Sequence, residues 1–160
     1  MSPVTQFINS LKRIDGVIAR KTEGLSHEDS MRQLPVPGNG LNWNLGPLLV
    51  DRMQFLGVID GVSKPDPAES AIYGGGSQPL TDSSKAIPLD VLLARITDAS
   101  AQVIAALEAM PVEKLTEIYD AERGTTVDDR LSFYLLFHES YHAGQLEILH
   151  ELALAHNVKH

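Results

Sequence analysis

Between residues 127 and 152 the side chains at Leu131, Tyr134, Leu135, His138, His142, Leu146, Leu149 and Leu152 recur at steps of three and four. Such steps return to one side of a helix, whereas a strand would alternate at every second residue. The same spacing occurs three more times. It runs through Val4, Phe7, Ile8, Leu11, Ile14, Ile18 and Leu25, then through Leu45, Leu48, Leu49, Arg52, Phe55, Leu56 and Ile59, and again through Leu89, Leu92, Ile96, Ala99, Val103, Leu107 and Met110. Four helices with one apolar side each can hide those sides only against one another. The expectation is an all-α four-helix bundle, and 160 residues suit a single domain spanning 1–160.

Local chemistry sets the boundaries. Gly24 stops the first helix, and Ser26 with Asp29 makes a capping box for a short helix in "SHEDSMRQL". "PVPGNG" cannot continue it. Asn42 or Asn44 is expected to cap the second long helix. Pro47 then belongs in its first turn, because further inside it would remove a backbone hydrogen bond at about 3 kcal/mol. Residues 61–87 are turn-rich and read as a long crossover with at most one helical turn near Glu69, either a functional loop or a plain link between distant helix ends. Pro88 suits the first position of the third long helix, which ends before Pro111. Thr126 and Asp129 form a second box at the start of the fourth. Strand signals are weak throughout.

Charge and composition narrow the partners. Thirteen basic residues against 21 acidic give a net charge of −8 with no basic run. Nucleic-acid binding draws most of its affinity from neutralised phosphates, so no nucleic-acid partner is expected. No stretch approaches the ~18 apolar residues of a membrane span, and "MSPVTQFINSLKR" lacks the apolar run of a signal peptide. The chain has no cysteine, which excludes disulfides and thiolate metal sites. A cytoplasmic protein without a membrane partner is the simplest expectation.

His138, Glu139 and His142 spell H-E-x-x-H, the pattern in which two histidines hold zinc and a glutamate activates water. A zinc protease also needs a third ligand. The downstream carboxylates Glu147 and Glu151 lie on the same helix, with Glu151 about 13 Å beyond His142. Glu139 falls about 100° around the helix from His138 and is read as solvated. Proteolysis is therefore set aside. The histidine pair stands: side chains four residues apart have Cβ atoms about 5–6 Å apart, within reach of one metal. Buried imidazoles also need partners for their ring nitrogens, so hydrogen-bonded core packing is the competing reading.

Two stretches carry a resemblance. "LPVPGNGLNWNLGPLL" is similar to a Pro-Gly-x-Asn…Trp-x-x-Gly-His-Leu segment, and "FHESYHAGQLEIL" to a His-x-x-x-His-x-Gly-Gln-Leu segment, of the DinB-like (DinB/YfiT-like) superfamily. The resemblance spans essentially the whole chain, and the second stretch is the stronger match. It implies a four-helix bundle with a long crossover. It also implies a divalent metal held by three histidines, one from the second long helix and two from the fourth. Some relatives look like thiol-dependent transferases or isomerases. His138 and His142 match the fourth-helix pair, but Pro47 stands where the second-helix histidine is expected and has no side-chain donor. Asp51, one turn further on, is the nearby hard ligand that would convert the set to two histidines and a carboxylate. Asn44, Tyr141 and Gln145 are the neighbouring candidates for orienting a substrate.

Three functional readings follow. The first is a DinB-like protein of unknown reaction whose metal site is degenerate or rebuilt, with no metal or weakly bound zinc or nickel. The second is a metal-dependent transferase or hydrolase acting on a small molecule through His138, His142 and Asp51. The third is a non-catalytic binding or regulatory homodimer using an exposed helical face.

Overall fold

The computed structural model describes residues 2–36 and 38–155. Ser2 caps the first helix, α1 (Pro3–Thr22), its hydroxyl accepting the Thr5 N–H at 3.2 Å. The reciprocal box of Ser26 and Asp29 then starts α2 (His27–Ser30). Next come α3 (Leu41–Asp60), α4 (Pro67–Tyr73) and α5 (Leu89–Ala109). A short hairpin pairs β1 (Ile118–Asp120) with β2 (Thr125–Thr126), antiparallel. The Thr126–Asp129 box opens α6 (Val127–Ser132), which runs through a π-helical stretch, Phe133–His138, into α7 (Glu139–Ala155). Helical dihedrals at Phe133 and Glu139 make this last rod continuous, and the Glu139 N–H reaches back five residues to the Tyr134 carbonyl. No helix among the described residues is long and apolar enough to cross a membrane.

Three boundaries differ from expectation. Gly40 flanks α3, with its carbonyl accepting the Asn44 N–H at 3.0 Å and no side chain capping the end. Asn42 and Asn44 are therefore inside the helix and buried, and Pro47 is its seventh residue rather than part of its first turn. Lacking an N–H, Pro47 leaves the carbonyl four residues back, at Trp43, without its helical donor. Pro88 flanks α5 instead of opening it. The crossover is also more ordered than one turn: α4 spans seven residues, and a 3₁₀ turn follows at Ser83–Lys85.

One apolar cluster joins Phe7 and Leu11 of α1, Phe55 and Ile59 of α3, Val103 and Leu107 of α5, and Leu131 and Leu135. A second joins Ile14 and Ile18, Leu41 to Leu49, Leu89 to Ile96, and Leu146 with Leu149. The start of α1 thus meets the ends of α3 and α5 and the start of the last rod. The four long helices run up, down, down, up. α3 and α5 are parallel neighbours, so the chain between them must climb back a 20-residue helix, about 30 Å. That requirement explains the long crossover.

Between the two apolar clusters lies a polar layer to which each long helix gives one side chain. The fully buried Arg52 guanidinium donates through Nε and an Nη atom to the Glu139 carboxylate, both at 2.9 Å. Its other Nη bonds Asp15 at 2.7 Å and the Ile96 carbonyl at 3.2 Å. The Ser100 hydroxyl donates to the same Asp15. Burial opposes the charge on Arg52, but Glu139 and then Asp15 more than offset it, so its pKa is raised. Glu139 is 0% exposed, which overturns its reading as a solvated residue. It stands in line with Leu135, Leu146 and Leu149, all buried, and so belongs to the core side of the rod.

Candidate functional site

α3 and the last rod pack against each other, and their facing sides bring His138, His142, Asn44 and Asp51 together. His138 Nδ1 is 2.6 Å from Asp51 Oδ2, and His142 Nδ1 is 3.0 Å from Asn44 Oδ1. A carboxylate and an amide oxygen accept, so Nδ1 is the protonated nitrogen of each ring and the lone pair sits on Nε2. The rings meet edge to face, with centroids 4.7 Å apart. Burial, and next the neighbouring His138, draws the His142 imidazole down to about 4, which keeps it in the neutral form that ligates metals. Burial pushes the Asp51 carboxyl up to about 6 against the pull of His138.

Both rings line a cavity of about 260 Å³. Its walls include Trp43, Pro47, Val50 and Asp51 of α3, Tyr73 to Gly75 of the crossover, and Tyr141 and Gln145 of α7, together with Asn39. Tyr141 and Gln145, two of the three polar candidates named from sequence, thus share this cavity with the histidines. Asn44 is not part of the lining and holds His142 from behind. A second hollow, about 550 Å³, lies at the hairpin between Tyr119, Arg123, Arg130 and Phe133 and contains no histidine.

The crossover closes the cavity through Tyr73, which is fully buried. Its hydroxyl donates to Asn42 Oδ1 and accepts the Ile87 N–H, both at 2.9 Å. The ring rests on Gly46, where an added Cβ would sit 1.9 Å from its Cδ1. Trp43 is steadied by a 3.0 Å bond from its indole N–H to Ser77 Oγ. None of these crossover contacts was expected from sequence, since one tyrosine in a turn-rich stretch carries no periodic signal. Glu139 and Arg52 were similarly unpaired in the sequence reading, although both lie on apolar stripes, where a charge signals a buried partner.

As a metal centre the set is incomplete. Among the described residues no group of three or more His, Cys, Asp or Glu side chains is placed to hold a metal ion. The triad of His138, His142 and Asp51 is not assembled, because Asp51 is committed to the Nδ1 side of His138 while the lone pair is on the opposite nitrogen. What the arrangement does fit is the support of two ligating imidazoles, whose second nitrogen is commonly held by a carboxylate or carbonyl oxygen.

No family model and no curated protein matches the chain. Among solved structures it is similar to a crystal structure of a conserved protein from Enterococcus faecalis. The TM-score is 0.74 at 13% identity, over 97% of this chain and 99% of that one. Identity that low establishes a shared helical-bundle fold and says nothing of what either protein binds.

Proposed function

We propose that this chain is a DinB-like protein in which a three-histidine metal centre has been reduced to a two-histidine site on the wall of a small-molecule cavity. The observation that carries this reading is that Pro47, His138 and His142 line the same cavity. Position 47 is where the resemblance calls for the third histidine, and it faces the other two. His138 and His142 are the donors through Nε2, and Asp51 and Asn44 fix the orientation of each ring. Two imidazoles are a weak site for zinc or nickel, so the protein is a ligand-binding bundle with a degenerate centre. A divalent ion held there would supply Lewis acidity. Tyr141, Gln145 and Trp43 would orient a small molecule against the histidines.

A metal-dependent transferase or hydrolase is the second reading, favoured by the Asp51–His138 pair on the cavity wall. Elemental analysis of protein purified without a histidine tag separates the two. The degenerate site predicts far less than one zinc or nickel per chain, and that trace lost in His142→Ala. Stoichiometric metal that survives dialysis would support the enzyme and contradict the degenerate site.

A further inference from the structure

The histidine cavity is walled by His138, His142, Asp51, Asn39, Trp43 and Tyr141 among others, and no lysine or arginine among the described residues belongs to its lining. Nδ1 of each imidazole is spent on Asp51 or Asn44, and no hydrogen bond among the described residues occupies either Nε2. Each ring is left with one free acceptor. The Asn39 amide oxygen is a third, buried and without a hydrogen-bond partner. A buried acceptor in that state weakens the fold until a donor reaches it. Arg130 belongs instead to the hairpin hollow, where its guanidinium lies over the Tyr119 and Tyr134 rings.

We propose that the ligand of this cavity is a small organic amine, bound as its ammonium ion. The inference rests on the reading of the cavity as a small-molecule site, and names the chemical class that site takes. A primary ammonium has three N–H donors and no acceptor, which matches in number the two Nε2 atoms and the Asn39 oxygen. Asp51 adds a carboxylate to the wall, and Trp43 and Tyr141 add rings whose faces attract a cation. A carboxylate or phosphate ligand would meet the same acceptors with no basic side chain to offset them. A neutral alcohol brings one donor for three acceptors. At about 260 Å³ the cavity is smaller than the roughly 300–1,000 Å³ usual for drug-sized ligands, so the amine carries a short apolar body.

Trp43 is the sole tryptophan of the chain and lines the cavity, so its fluorescence reports occupancy. Cyclohexylmethylamine, cyclohexylmethanol and cyclohexanecarboxylate share one apolar body and differ in the head group. Each is titrated into untagged protein at neutral pH, with a chelator present to remove metal. The amine should shift the Trp43 emission saturably, binding about tenfold or more tightly than the alcohol or the carboxylate. Asn39→Ala should lower amine affinity about tenfold, and Asp51→Asn should bring the amine close to the alcohol. An alcohol that binds as tightly as the amine, or a carboxylate that binds more tightly, would overturn the inference and leave the small-molecule reading standing. An amine affinity untouched by both substitutions would put the probe outside this cavity and overturn it too. A flat response to all three compounds would overturn the inference and count against the small-molecule reading as well.

Discussion

His142 and Asp51 titrate in opposite senses, and burial is the leading cause for both. His142 falls from 6.5 to about 4. As pH drops through that window the unfolded chain takes up a proton that the folded chain refuses. Its contribution is present above 6.5 and is lost as pH falls through about 4. Asp51 rises from 3.8 to about 6. Here the folded chain keeps a proton that the unfolded chain releases, so this contribution is full below 3.8 and is lost as pH rises through about 6. In metal-free protein the two slopes largely cancel between pH 4 and 6. Asp51→Asn should unmask His142, and urea unfolding should then show stability climbing by about 2 kcal/mol across the His142 window. His142→Gln should leave a slope of the other sign. Identical pH profiles in all three proteins would mean that neither group is buried as described.

Arg52 binds elements rather than single residues, since its partners come from α1, α5 and α7. Arg52→Met strands Glu139, fully buried, and should cost about 3–5 kcal/mol in chemical unfolding. Adding Glu139→Leu should recover most of that loss, because an apolar pair replaces a buried ion pair at little penalty. Gly46 holds a second pair of elements together. Gly46→Ala would press a methyl into the Tyr73 ring, costing about 1–3 kcal/mol and speeding proteolysis within residues 74–88. Unchanged cleavage would show that Tyr73 does not anchor the crossover. At this scale the sequence was partly legible. Both capping boxes, the four stripes and the histidine pair follow from local spacing, which is local information. An angle taken from His138 turns Glu139 toward solvent. Measured from Leu135 and Leu146, it falls on the buried side. Asn42 and Asn44 have the chemistry of helix caps, and nothing local reveals that one serves Tyr73 and Ile87 and the other His142. The π-helical stretch that joins α6 to α7 has no sequence signature that separates it from ordinary helix.

Across the whole molecule, the polar layer divides the bundle into two apolar halves, and the cavity opens beside it, between α3, α7 and the crossover. The fold persists at 13% identity to the enterococcal structure, as expected where burial pattern rather than residue identity holds helices together. Residue identity matters at the cavity, where the proposed function turns on Pro47 of α3 sharing a wall with His138 and His142. The most direct measurement is therefore a calorimetric zinc titration of untagged wild type, Pro47→His and His142→Ala. A histidine at 47 gives the pair a third nitrogen and removes a helix-interior proline, so folding should not suffer. Pro47→His should bind zinc at least a hundredfold more tightly than wild type. Its melting temperature should rise with added metal, because a ligand bound only by the folded state stabilises it. His142→Ala should bind less than wild type. If Pro47→His and wild type bind no better than His142→Ala, position 47 does not complete a site with His138 and His142, and the pair is hydrogen-bonded core packing.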